Sequence, residues 1–118
     1  MAAPNMINVA VITGKTALVS LTTVTANIIT NSGASGTVAK LNDVILSNYT
    51  ASVVTANVMI NRSATVFYLA GTMSIPANST LVLLGKDTPI YLEEGDVVQA
   101  NVSANSAVQI TSSYEIIS

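Results

Sequence analysis

Ile75-Pro76-Ala77-Asn78-Ser79-Thr80-Leu81-Val82-Leu83-Leu84-Gly85, Pro89-Ile90-Tyr91-Leu92-Glu93-Glu94-Gly95-Asp96-Val97-Val98 and Ser113-Tyr114-Glu115-Ile116-Ile117 decide the fold class of this chain. Their short apolar runs are separated by Pro-Ala-Asn, Gly-Lys-Asp, Glu-Glu-Gly-Asp and, further on, Ser-Ala-Asn-Ser. Turn formers at strand-length intervals mark β-strands joined by tight turns, and no helix fits between them. Glu93-Glu94-Gly95 reads as a three-residue hairpin loop, a type I turn closed by a glycine in the left-handed region.

Working outward, the same period of two recurs. Met6 to Ile12 is expected to be the first strand, turned by Thr13-Gly14-Lys15. The alternation from Thr16 to Thr30 is long enough for a strand that bends or for two strands in different sheets. Asn31-Ser32-Gly33-Ala34-Ser35-Gly36 has no apolar anchor and reads as an exposed loop. Asp43 interrupts the face made by Ala39, Leu41 and Ile45 and marks an edge or a bulge. Ser47-Asn48-Tyr49-Thr50 reads as a turn, and Val54, Ala56, Val58 and Ile60 share one face. Asn61-Arg62-Ser63 reads as another turn. Ala64 to Ala70 is apolar on both faces, as if covered on each side by a second sheet or another subunit. The remaining strands are Thr72 to Ile75, Ser79 to Leu84, Pro89 to Leu92, Asp96 to Val102 and Ala107 to Ile117. About eight to ten strands rich in Val, Ile and Thr suit an all-β, antiparallel β-sandwich of jelly-roll or Greek-key type, with a closed barrel as second choice. The chain of 118 residues divides into a flexible N-terminal arm, 1–5, and one sandwich domain, 6–118.

Half of the residues are hydrophobic, but only 8% are charged and 4% aromatic. The polar exterior therefore rests on Ser, Thr and Asn, and so little charge favours association over keeping molecules apart. Lys15, Lys40, Arg62 and Lys86 are scattered and net charge is -2, so no cationic stripe exists to neutralise nucleic-acid phosphates. Met1-Ala2-Ala3-Pro4-Asn5 lacks the basic flank and apolar core of a secretory signal, and no apolar run reaches the ~20 residues that span a bilayer. The expectation is a chain made in the cytoplasm, with no membrane partner.

Bond-breaking chemistry finds little to work with. Cysteine and histidine are absent, which removes thiolate nucleophiles and the Ser-His-Asp arrangement. Thr13-Gly14-Lys15-Thr16 imitates the end of a phosphate loop, but Val9 stands where the first glycine belongs and a strand follows. Asn48, Asn61, Asn78 and Asn101 fit the N-glycosylation pattern, as a chain rich in Asn, Ser and Thr does by chance. Glu93, Glu94 and Asp96 form the single acidic cluster. It reads first as a solvated turn, then as a calcium site, and last as a hydrolytic pair, which would need two walls of a cleft. Asp43 with a second carboxylate is the remaining route to an enzyme. The rings Tyr49, Phe67, Tyr68, Tyr91 and Tyr114 read as filling the core or an interface rather than stacking on sugar. No catalytic, cofactor-binding or metal residues are assigned, and no cofactor is expected.

Ile75-Pro76-Ala77-Asn78-Ser79-Thr80-Leu81, Gly85-Lys86, Tyr91-Leu92-Glu93-Glu94-Gly95-Asp96, Val108-Gln109-Ile110 and Ser113-Tyr114-Glu115-Ile116 together resemble the small all-β virion proteins of tailed bacteriophages. The early Thr13-Gly14-Lys15-Thr16-Ala17 followed by a Val-rich strand adds to the likeness, whereas Thr37 to Asn61 is less regular than the pattern. The resemblance implies a non-enzymatic virion structural protein that forms homo-oligomers, trimers or larger rings, and binds a major capsid protein or a neck or tail protein. Capsid decoration or cement is the first expectation, and a neck, tail or fibre accessory subunit the second. A module binding a glycan or host surface through the loops Asn31 to Gly36 and Ser103 to Ser106 is a further alternative.

Overall fold

The structure, a computed structural model, describes residues 11–85 and 89–118. The expected arm, most of the expected first strand and the Lys86-Asp87 turn lie outside them. The described residues contain ten strands and no helix: β1 (Ile12–Ser20), β2 (Ala26–Thr30), β3 (Val38–Leu41), β4 (Val44–Asn48), β5 (Val54–Arg62), β6 (Thr65–Ile75), β7 (Ser79–Leu84), β8 (Ile90–Leu92), β9 (Val97–Val102) and β10 (Val108–Ile117). They form two antiparallel sheets packed as a β-sandwich. One has six strands in the order β7-β4-β10-β3-β8 with β1 on the other side of β10, and the other runs β2-β9-β5-β6. Among the described residues both sheets have free edges, and the two packed sheets form a sandwich, not the barrel that was the second choice.

The pairing is nested. Each strand's partner counts the same number of places from the opposite end: β1 with β10, β2 with β9, β3 with β8, β4 with β7, β5 with β6. The chain is thus one long hairpin whose tip is Ser63-Ala64. It is rolled up so that β10 also pairs with β3 and β4, and β9 with β5. At the tip Ser63 and Ala64 take φ of 51° and 64°, the two left-handed residues of a type I′ turn, here without the usual glycine.

Rolling puts one face of each sheet against the other, and the alternation in sequence follows from that. Val54, Ala56 and Val58 of β5, Val98, Ala100 and Val102 of β9, and Val108 and Ile110 of β10 are buried together. Leu41, Val44 and Leu46 lie with Val108 and Ile110 on the six-stranded sheet and face the β5 and β9 residues, with Tyr114 and Ile116 packed at the margin.

Several expectations are corrected. Thr13-Gly14-Lys15 is no turn: these residues sit inside β1, opposite Ile116, Glu115 and Tyr114, because the β10 ladder outweighs a glycine's weak strand preference. That extended backbone also disposes of the phosphate-loop reading. Thr16 to Thr30 is two strands in different sheets, as one alternative held. Thr37 to Leu46 is broken into β3 and β4 at Asn42-Asp43, and Asp43 mends the gap. Its Oδ1 accepts from the Ser113 amide at 2.9 Å and its carbonyl from the Ser112 hydroxyl at 2.8 Å. Asn61 and Arg62 belong to β5 and not to a turn, while Thr65 to Ile75 is one strand, kinked where Thr72 takes φ 50°.

Glu93-Glu94-Gly95-Asp96 also differs from the expected hairpin. The Asp96 amide donates to the Glu93 carbonyl at 3.1 Å, and Gly95 at the third position has φ 90°, which makes a type II turn. It carries the chain from β8 in one sheet to β9 in the other. Gly95→Val is expected to cost ~1 kcal/mol or more, since a branched Cβ is strained at that φ. A thermal melt with an unchanged midpoint would refute the turn geometry.

Candidate interaction surface

Asp96 follows the turn and is 1% exposed. Arg62, at the end of β5, reaches it with two parallel bonds, Nε to Oδ1 at 2.7 Å and Nη2 to Oδ2 at 2.6 Å, and the Glu93 amide adds a third at 2.8 Å. Glu93 holds the same guanidinium at 3.0 Å from the solvent side, and Glu94 accepts from the Gly36 amide at 3.0 Å. The acidic cluster is therefore a clasp joining three connections, not a solvated turn. Both Asp96 oxygens are engaged by donors, Glu93 shares the same guanidinium and Glu94 turns to the Gly36 amide, so a cation already fills the place that a shared calcium ion would need.

The Arg62 hydrogen bonds hold the Asp96 carboxyl below its usual value against the opposing effect of burial, with the Glu93 amide helping. A carboxyl depressed in the folded state contributes stability above its unfolded value, near 4, and loses that contribution as pH falls through the lower folded value. The melting temperature is therefore expected to fall from pH 5 towards pH 2. Asp96→Asn should melt lower at pH 7 and show a shallower acid slope, and equal slopes in the two proteins would refute the linkage.

The loop beside the clasp is exposed from Ser32 to Ser35, as expected, but is anchored by a polar residue at its start. Asn31 is buried, its Nδ2 donating to the carbonyls of Leu92 (2.9 Å) and Thr37 (3.0 Å) and its Oδ1 accepting from the hydroxyls of Ser35 and Thr37. At the opposite end of the sandwich Asn48, read as part of a turn, is buried at the end of β4. Its Nδ2 donates to the carbonyls of Ser52 (2.8 Å), Ile75 and Pro76 (3.2 Å each), and its Oδ1 accepts from the amide and hydroxyl of Thr50. An Asn so engaged is closed as a glycan acceptor. The Asn31–Gly36 and Ser103–Ser106 loops flank opposite ends of β9, whose six residues separate them by ~20 Å. They cannot line one small glycan site.

What the sandwich offers to a partner lies on its outward faces and edges. Across the four-stranded sheet, side chains form a neutral ladder: Asn57 Nδ2 donates to Asn101 Oδ1 (2.9 Å) and Asn101 Nδ2 to Thr25 Oγ1 (2.9 Å). One row on, Gln99 Nε2 donates to Asn27 Oδ1 (2.8 Å). Across the six-stranded sheet, Leu18, Thr111, Ile45 and Val82 form one cross-strand row, with Leu18 73% exposed and Val82 also open. The row Gly14, Glu115, Lys40 and Tyr91 sets opposite charges side by side. At the outer strand β6, Val66, Phe67 and Tyr68 are 39%, 53% and 62% exposed.

The expected double burial of Ala64 to Ala70 by a second sheet is thus not found. Phe67 lies opposite Ile60, which pairs with Val98 of the core, yet the facing sheet leaves its ring uncovered. Tyr49, Tyr68 and Tyr91 are likewise exposed, so these rings do not fill the core. Periodicity could not reveal this, because coverage depends on how far the opposite sheet extends.

No family model matches the chain, and no curated protein matches it. Among solved structures, a chain in the acidic stable capsid structure of Helicobacter pylori bacteriophage KHP30 is similar. The TM-score is 0.51 at 12% sequence identity, and the match covers 93% of this chain and 90% of that one. At that identity the likeness is one of fold, and it runs through nearly the whole of both chains.

Proposed function

We infer that this chain is a non-enzymatic structural subunit of a bacteriophage virion, homo-oligomeric, acting as a capsid decoration or cement protein bound to a major capsid protein. The observation that carries the reading is the end-to-end fold likeness to a chain of a phage capsid structure. The connectivity supports it. With β3 and β4 counted as one broken strand, and β7 and β8 as another, the sheets run first-eighth-third-sixth and second-seventh-fourth-fifth. We read this order as a jelly roll, an architecture that viral capsid proteins, lectins and cupins use. A cupin site built on imidazoles has no histidine to draw on. Exposed rings on a nearly uncharged exterior suit repeated contact with neighbouring subunits, where many weak contacts are multiplied by symmetry.

The test is the copy number in purified particles from cells that produce this chain, measured by quantitative mass spectrometry with immunogold labelling. Decoration predicts co-purification at hundreds of copies distributed over the shell. A dozen or fewer at one vertex would move the assignment to the neck or tail. Absence from particles would overturn the virion reading.

A further inference from the structure

The outer edges of the two sheets are guarded unequally. β1 carries exposed Lys15 along its length, β2 is five residues long with a register shift after Asn27, and the β7/β8 edge is interrupted and has Pro89 before β8. Charge, brevity, breaks and proline are the devices that keep strand edges from pairing with other chains. β6 has neither proline nor charge over eleven residues, and the sequence holds no charged residue from Ser63 to Gly85. Register shifts near Leu69 and the Thr72 kink bend its far half, where Asn57 Oδ1 accepts from the Thr72 amide at 2.7 Å. Thr65 to Tyr68 remain in straight register with β5.

We propose that Thr65–Leu69 of β6 pairs antiparallel with the same segment of a second copy about a two-fold axis at Phe67, joining the two four-stranded sheets into one. A two-fold axis normal to the sheet keeps inward and outward faces aligned only when the paired positions have the same parity, and a centre at Phe67 meets that condition. It sets Phe67 against Phe67 and Val66 against Tyr68, aromatic and β-branched pairings that stabilise antiparallel strands. Electrostatics allow it. Each Arg62 lies on β5 level with Thr65, three strand spacings and four residues from its partner's counterpart, so the two stand ~20 Å apart, beyond a Debye length, and each is already held by Asp96 of its own chain. A shallow hollow lined by Ile60, Arg62 and Phe67 receives the partner's ring. This contact deepens the homo-oligomeric part of the function inferred above, and rests on it.

The chain contains no cysteine, so one introduced thiol reports on one contact. Phe67→Cys is expected to give mostly covalent dimer on mild oxidation, since directly opposed antiparallel residues have Cα separations of ~4.5–5.5 Å, within disulfide range. Leu18→Cys, more exposed still but on β1, should stay monomeric on the gel. Phe67→Lys should weaken dimerisation at least tenfold in sedimentation while leaving circular dichroism unchanged. An unmodified protein that stays monomeric at ~100 µM would overturn the proposal, as would an oligomer that Phe67→Cys fails to link or Leu18→Cys links as well. Incorporation into particles alongside such a result would leave the virion reading standing, so the two failures are distinguishable.

Discussion

Asn48→Ala should lower stability by about 3 kcal/mol, with a fall in melting temperature of about 10 °C in a chain of this size. The side chain is small, and its burial alone would not give that figure. What it does is satisfy three carbonyls and one amide from segments that the fold brings together at one end of the sandwich. Leaving buried polar groups without partners costs roughly 1–3 kcal/mol each, and part is recovered where water reaches the outer ones. Asn48→Asp should be worse at neutral pH, because a carboxylate would face carbonyl oxygens, and should partly recover in acid when a protonated carboxyl can donate. Ser74→Ala, exposed on β6, should change the midpoint by less than about 0.5 kcal/mol. A loss below 1 kcal/mol for Asn48→Ala would mean that the corner rearranges around water.

Leu46→Ala should cost about 3 kcal/mol, within the ~2–5 kcal/mol seen when a buried leucine is cut back and the surroundings close only partly. Leu46 is fully buried in β4, between Ile110 on β10 and Leu81 on β7, and backs onto the valines of the other sheet. Urea titration should show a lower midpoint with an unchanged slope. Val82, one position along the neighbouring strand, points outward and open. Its replacement by Ala should leave the isolated chain within about 0.5 kcal/mol. Equal losses at the two positions would contradict the assignment of faces.

That assignment was legible in the sequence, for a definite reason. Burial on one side imprints a period of two, and Val54, Ala56 and Val58, or Val98, Ala100 and Val102, carry it without interruption. Partners distant in the chain were not legible. Glu93, Glu94 and Asp96 look alike as neighbours, and only Arg62, thirty-four residues from Asp96, selects which one is buried. Asn31 and Asn48 sit among turn formers and read as solvated, because the carbonyls that bury them come from elsewhere. Thr13-Gly14-Lys15 carries the local signature of a turn, yet nine residues paired with β10 hold it extended. The edge at Val66-Phe67-Tyr68 was half legible: the sequence gives an apolar strand that needs cover, while the extent of the opposite sheet decides that the cover is not internal.

The place of β10 in the sheet order has a consequence for synthesis. β10, made after the other nine strands, lies between β1 on one side and β3 and β4 on the other. A ribosome adding roughly 5–20 residues per second therefore releases β1, β3 and β4 several seconds before the strand that unites them exists. During that interval only the β5–β6 hairpin and its neighbours can settle, and the first strands wait with apolar faces open to water. Nascent chains of this design would call on holding factors in the cell that makes them, and yield at high expression should follow the supply of those factors more closely than the stability of the finished fold.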